Sequence, residues 1–313
     1  MSALREALES YLSLRRRLGT ELKGPGAHLR HFVEFLEREG ATVVTTELAL
    51  RWAMEPTAST AANWARRLAD VRRFLAWLST VDPRTEVPPL GLLPEQSRRR
   101  PPYIYSDQEI ESIVYEAARL SSSEGIRGYT YSTLFALLSV TGLRHGEALA
   151  LDRDDVDLSS GVLTIRRAKF GKSRFVPIHD STREALRRYA RRRDSIVGHP
   201  RSPAFLLADR GTRITQDGSR HNFALVSRTI GLRPPGPTRH GRGPRLHDMR
   251  HRLAVKTIVR WYQEGRDVER ELPKLSTYLG HAHVADTYWY IEAVPELLQL
   301  ATERATKPRE DQS

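Results

Sequence analysis

Apolar residues recur at three- and four-residue intervals through residues 2–80, and each run closes on a glycine or a short polar stretch. That spacing puts apolar side chains on one face of a helix with 3.6 residues per turn. ALREALESYLSLRRRLG predicts a helix stopped at Gly19, and GPGAHLRHFVEFLEREG a second ending at Gly40. TTELALRWAM and STAANWARRLADVRRFLAWLS predict a third and a fourth. In the fourth, Trp64, Leu68, Val71, Leu75 and Leu78 form one stripe, flanked by Arg66, Arg67, Arg72 and Arg73. The pattern breaks over residues 83–103, where prolines recur and Arg98, Arg99 and Arg100 precede Pro101 and Pro102. Proline-rich segments are extended and semi-rigid. A linker is expected there, between a helical domain at 1–82 and a second domain at 104–313.

The second domain opens with Ser106 and Glu109, the spacing of a helix capping box, ahead of an apolar-periodic run. YSTLFALLSVTGLRHGEALAL reads as a buried helix, a stop at Gly142 and a short second helix. GVLTIRRAKFGKSRFVPI reads as two strands about a turn at Gly171. STREALRRYARRRDSIV predicts an arginine-rich helix, and a long helix is expected to begin near His247. Further helices are expected from Leu272 to about Ala305. The fold class is mainly α with a small β-sheet (α+β).

Composition narrows the partners. The net charge of +12 comes largely from arginine, whose planar fork matches phosphate oxygens, so nucleic acid is the expected partner. With no cysteine in the chain, disulfides, thiolate metal sites and thiol nucleophiles are excluded. No apolar run approaches the ~20 residues of a membrane span, and MSALREALES lacks a signal-peptide core. A cytoplasmic protein is expected.

Four polar groupings stand out. In TGLRHGEAL, Arg144 lies at a helix start, where backbone N–H groups favour an anion, and Glu147 can brace its guanidinium. In HDMRH, His247 and Arg250 are three apart and share a helix face, so both could reach one phosphate. His247 and His251 are four apart, which also suits zinc, with His281 or His283 as a third ligand. Asp248, however, stands where a metalloprotease carries its glutamate base. In AKFGKSRFVPI, Lys169 ends one strand and Arg174 begins the next, so the turn could enter a DNA groove or deliver an ammonium as a proton donor. The acidic LDRDDVDL is not an EF-hand loop, because its sixth and twelfth positions from Asp152 are Asp157 and Leu163 rather than glycine and glutamate.

The fourth grouping is HAHVADTYWYIE. Residues two apart on a helix differ by about 200°, so Tyr288 and Tyr290 face opposite ways. Val284, Tyr288 and Ile291 make an apolar stripe, while Tyr290 falls with Asp286 and Thr287. On this reading Tyr288 packs in the core and Tyr290 is free for chemistry on a polar side.

Together these residues resemble the tyrosine recombinase (phage integrase) family. The boxes appear in order: TGLRHGE with Arg144, AKFGKSRFVP with Lys169, LHDMRH with His247 and Arg250, LGH with His281, and Tyr290 nine residues after His281 (290 − 281). Lys172 is a second candidate for the hairpin lysine. Ile291 and Glu292 depart from the threonine and histidine that often follow the tyrosine.

The resemblance implies a helical, SAM-like core-binding domain and a mixed catalytic domain acting on double-stranded DNA. It implies a tetramer of this chain, or of two recombinases, on paired sites, nucleoid-associated when on DNA. Catalytic roles are implied for Arg144, Lys169, His247, Arg250, His281 and Tyr290. Tyr290 would attack a phosphodiester to give a 3′-phosphotyrosyl link, with the arginines and His281 on the non-bridging oxygens. His247 would act as general base, and Lys169 would protonate the departing 5′ oxygen. No cofactor is expected, since the cationic side chains supply the charge a metal would bring. The alternatives are strand relaxation of the type IB topoisomerase kind, a non-catalytic DNA-binding protein of the same fold, and a metal-dependent nuclease. The stretch RPPGPTRHGRGPR ahead of His247 is expected to be a DNA-facing loop.

Overall fold

Three of the four predicted helix starts in residues 2–80 carry side-chain caps. The hydroxyls of Ser2, Thr45 and Thr60 accept from the backbone N–H groups of Arg5, Leu48 and Asn63. Each such cap supplies a partner for an N–H that the first helical turn leaves unpaired. A computed structural model describes residues 2–20, 22–94, 102–123, 125–166, 173–235, 243–281 and 283–306. The chain divides into two compact units, residues 1–100 and 101–313.

In the first unit, helices α1 (Ala3–Arg17), α2 (Lys23–Arg38), α3 (Thr46–Met54) and α4 (Ala61–Leu78) enclose one core. Leu8, Leu12, Phe32, Leu36, Trp52, Phe74 and Leu75 are all buried in it. Full burial of a side chain of this kind stabilises by roughly 1.5–3 kcal/mol. Two of the flanking arginines are structural. Arg67 lies 3.9 Å from the centre of the Trp52 ring and donates to Trp52 O, and Arg72 donates to Pro88 O. Arg66 and Arg73 are exposed. Residues 83–93 lie along this bundle: Glu86 N–H donates to Val44 O, and Leu93 packs on the core.

The second unit begins with α5 (Asp107–Ala118), whose Ser106–Glu109 capping box is complete in both directions. Helix α6 (Arg127–Thr141) is buried on most sides and stops at Gly142, which adopts φ +60°. The left-handed backbone favours glycine, and a β-carbon there would approach Leu253 Cδ2 to 2.7 Å, so that side chain would have to shift. The short helix α7 (His145–Ala150) follows.

Strands β1 (Val156–Asp157), β2 (Val162–Ile165) and β3 (Arg174–Pro177) form an antiparallel sheet in that order, with Leu163 opposite Val176 and Ile165 opposite Arg174. Leu163, Ile165 and Val176 face the core. The turn at Gly171, with Lys169 and Lys172, lies outside the described residues, as do residues 236–242 of the proline- and arginine-rich stretch.

Helix α8 (Asp180–Ile196) buries Arg193, whose guanidinium donates to Phe205 O and to the Asp194 carboxylate. Helix α9 (Gln216–Thr229) does not follow from the apolar pattern. Its buried face mixes Phe223 and Val226 with Ser219, Asn222 and Ser227, which dilutes the stripe.

A second core in this unit joins α10 (Leu246–Gln263), α11 (Val268–Leu279), α12 (Ala285–Ala293) and α13 (Pro295–Thr306). Helix α13 packs on its own chain through Leu297, which is fully buried. Among the described residues no helix is long and apolar enough to cross a membrane.

Candidate active site

The glycine stop of α6 fixes the first group. Arg144 follows the turn as the N-cap of α7, and its backbone N–H and Nη1 both donate to the Glu147 carboxylate, at 3.0 and 2.8 Å. Arg144 Nη2 reaches Gly280 O at 2.6 Å. From the first residue of β3, Arg174 grips the same carboxylate with two parallel bonds of 3.0 and 2.7 Å and donates Nε to Tyr278 O. Burial opposes ionisation of Glu147, but the bonds from Arg174 and Arg144 outweigh it and hold the carboxyl down at about 2. Bidentate arginine–carboxylate pairs combine charge with fixed geometry.

Helix α10 supplies the second group. Asp248, almost fully buried, caps the helix by accepting from the backbone and guanidinium of Arg245. This is its evident role, and it sets the register in which Arg250 points inward while His247 stays exposed. Arg250 is 2% exposed, and its Nη1 and Nη2 donate to Gly142 O and Leu279 O, each at 2.7 Å. These bonds tie the C-terminal ends of α6 and α11 together. Burial and, next, the charge of Arg144 bring the Arg250 guanidinium down to about 10. His247 is lowered to about 4 by burial and then by Arg250.

The third group follows Gly280, the left-handed cap of α11. His281 Nδ1 lies 2.7 Å from the Thr287 hydroxyl, and its ring stacks on Tyr290 at 6.3 Å between centres. Burial, then Arg250 and Arg144, lower His281 to about 4. At neutral pH the pocket therefore holds neutral imidazoles beside three guanidiniums and one carboxylate. That leaves an excess of two positive charges (3 − 1), which suits an anion with oxygens on two sides.

The α12 assignment made from the apolar pattern requires correction. Tyr288 is 42% exposed and Val284 is also exposed, whereas Tyr290 is 2% exposed and Thr287 fully buried. The buried stripe is Thr287, Tyr290 and Val294, not Val284, Tyr288 and Ile291. The two hydroxyls satisfy their hydrogen bonding inside the site, so the side that looks polar in sequence is the one that packs.

One residue of the site presents itself in sequence only as a metal ligand. His251, one turn beyond His247, places Nδ1 3.0 Å from the Tyr290 hydroxyl. The i, i+4 spacing from His247 is the available signal. Among the described residues no group of three or more His, Asp or Glu side chains is placed to hold a metal ion. Arg144, His247, Arg250, His281 and Tyr290 thus come together from four separate segments, while Lys169 lies outside the described residues.

A helical unit, a second unit with a small antiparallel sheet, and a buried arginine–histidine–tyrosine cluster are the features of DNA strand-transfer enzymes of the tyrosine type. The chain belongs to the phage integrase family, whose profile it matches over residues 104–296. It is 45% identical over 317 residues to y4rB of Sinorhizobium fredii (strain NBRC 101917 / NGR234), a protein provisionally named as an integrase/recombinase, with all of both chains covered. It is 27% identical over 319 residues to tyrosine recombinase XerC of Mycobacterium sp. (strain JLS), covering 97% of this chain and 99% of that one.

Two solved structures share the fold. The Tn1549 transposon integrase in complex with transposon right end DNA superposes with a TM-score of 0.64 at 15% identity, over 96% of this chain and 99% of that one. The XerH site-specific recombinase in its post-cleavage complex with palindromic difH substrate gives 0.63 at 16%, over 91% and 78%.

Proposed function

We propose that this chain is a site-specific recombinase that cuts and rejoins double-stranded DNA through a 3′-phosphotyrosyl link on Tyr290. The observation that carries this is the delivery of the Tyr290 hydroxyl into a pocket built by Arg144, Arg250, His247 and His281. Hydrogen-bond donors held in advance where charge develops lower the barrier more than any other single effect in reactions of this type. An arginine has five N–H donors. Arg250 uses two on carbonyls that fix its plane, which leaves an edge for a phosphate oxygen. Arg144 and His281 would contact the other non-bridging oxygen. Lys169 would protonate the departing 5′ oxygen, and the resemblance to the family implies His247 as the general base. A 5′-hydroxyl from a partner duplex reverses the step, so the phosphodiester energy is kept without ATP.

Residues 1–82 would bind the DNA core site, residues 83–103 would link, and residues 104–313 would carry the chemistry. A tetramer of this chain, or of this chain with a second recombinase, would hold two sites, and the enzyme would associate with the nucleoid when on DNA.

The test is incubation in EDTA with a nicked suicide duplex drawn from inverted repeats beside the gene. A covalent protein–DNA adduct is expected, absent in Tyr290→Phe and retained in Tyr288→Phe, whose side chain is exposed. An adduct surviving Tyr290→Phe refutes the assignment. Supercoil relaxation without strand exchange would instead favour the topoisomerase reading.

A further inference from the structure

Resting on the reading of Tyr290 as nucleophile, we infer that His251, rather than His247, is the group that takes the tyrosine proton. Three observations place it there. Its Nδ1 is 3.0 Å from the Tyr290 hydroxyl, a hydrogen-bonding distance. The His251 ring is wedged against Tyr290 and Trp289, with centres 5.4 and 5.6 Å apart, which fixes the direction of Nδ1. His247 meets His251 edge-on at 4.7 Å, with the rings at 89°. His247 feels Arg250, Asp248, Arg245 and Arg144, the charges of the phosphate pocket and of the α10 start. The two histidines of HDMRH thus divide the work: His247 faces the anion and His251 faces the nucleophile.

A phenol nucleophile needs such a partner. An ordinary phenol has a pKa of about 10, so its attack requires a group to take the proton. In the neutral tautomer with the proton on Nε2, His251 accepts from the phenol through Nδ1. As the Tyr290 oxygen bonds to phosphorus, its O–H bond breaks and the proton passes to Nδ1. The P–O5′ bond breaks on the opposite side, and the leaving oxygen takes a proton from the general acid assigned above to Lys169. On rejoining, the 5′-hydroxyl attacks the phosphotyrosine and gives its proton back to Lys169, the P–O bond to Tyr290 breaks, and His251 returns its proton to the Tyr290 oxygen. Proton count and charge balance in both directions, with no further reactant.

Among the described residues, ionisable groups next to His251 include His247 on its own helix, Tyr290 on α12 and, through the Tyr290 ring, His281 on the α11–α12 turn. Arg250 and Arg144 set the potential at both neighbouring histidines.

The test is single-turnover cleavage of the suicide duplex between pH 5 and 9 by the full chain and by His251→Asn, His251→Gln, His247→Asn and Tyr290→Phe. Gel shift and thermal melting serve as controls on binding and folding. The amides keep a hydrogen-bonding group near the hydroxyl but cannot take its proton. General-base removal slows reactions by about 10²–10⁴-fold. His251→Asn, or His251→Gln if the first does not fold, should cleave at least about 10²-fold slower. DNA binding should be unchanged, and the acid limb of the pH–rate curve that wild type and His247→Asn retain should be lost. A rate close to wild type, or a slowed rate with the acid limb intact, overturns the assignment. Adduct formation by Tyr290→Phe would instead strike the underlying reading, and is scored separately.

Discussion

Glu147 offers the most quantitative test, because one buried carboxylate holds two cations from different segments. Its side chain is 8% exposed, that of Arg174 12% and that of Arg144 27%. Replacing it with glutamine keeps the volume and removes the charge. Two routes give the magnitude. The carboxyl is held at about 2 against an ordinary value of 4.5, which at 1.36 kcal/mol per tenfold in acidity is on the order of 3 kcal/mol. Breaking one side of a buried ion pair costs about 3–5 kcal/mol; the partial exposure of Arg144 and the bond Arg174 keeps to Tyr278 O argue for the lower end. For a unit of residues 101–313, about 3 kcal/mol corresponds to a melting shift of about 6–12 °C.

The sign with pH follows from the depressed value. The contribution is complete above about pH 4.5 and fades as pH falls towards about 2, so wild type and Glu147→Gln should converge in acid. Calorimetry of the full chain reads the shift, and hydrogen exchange in α7 and β3 assigns the transition to the second unit. A shift below about 2 °C at pH 7, where about 6–12 °C is expected, or a difference that persists at pH 2, refutes the reasoning.

Two further outcomes follow from the same cluster. Gly142→Ala places a side chain at φ +60° and 2.7 Å from Leu253 Cδ2; the left-handed backbone alone costs about 1–2 kcal/mol. The second unit should melt about 4 °C or more lower, and an unchanged melting temperature would contradict the packing at the α6 stop. His247 and His281, each lowered to about 4, bind protons more readily when unfolded. Stability from them is complete above about pH 6.5 and is lost on acidification through about 4. A His247→Asn/His281→Asn double variant should reduce the slope in that window of a melting-versus-pH series, with His145, also lowered to about 4, retaining the remainder; a slope unchanged by the double substitution would count against the depressed values of the two rings.

Local pattern carries far in this chain. The helices of residues 2–80, the Ser106–Glu109 box, the glycine stop at 142, the β2–β3 pair and the spacing from His281 to Tyr290 all depend on neighbours within a few turns. Near-neighbour geometry is encoded in periodicity and cap chemistry. The resemblance of the polar boxes to those of the family likewise points, from sequence, to Arg144, His247, Arg250, His281 and Tyr290.

Contacts between distant segments decided the rest. Helix α9 is hidden in the sequence because Ser219, Asn222 and Ser227 pack inward, where tertiary partners rather than apolar character bury them. Arg174 joins Glu147 across 27 positions and His251 meets Tyr290 across 39, distances that no helical or strand period reports. The same cause inverted α12. A lone helix with Thr287 and Tyr290 on one side looks polar there, and only the folded chain supplies His281 and His251 as partners for those hydroxyls. Sequence thus determined which groups are present and how they are spaced along each element. The tertiary structure determined which face is dry, because burial of a polar group depends on what the rest of the chain brings to it.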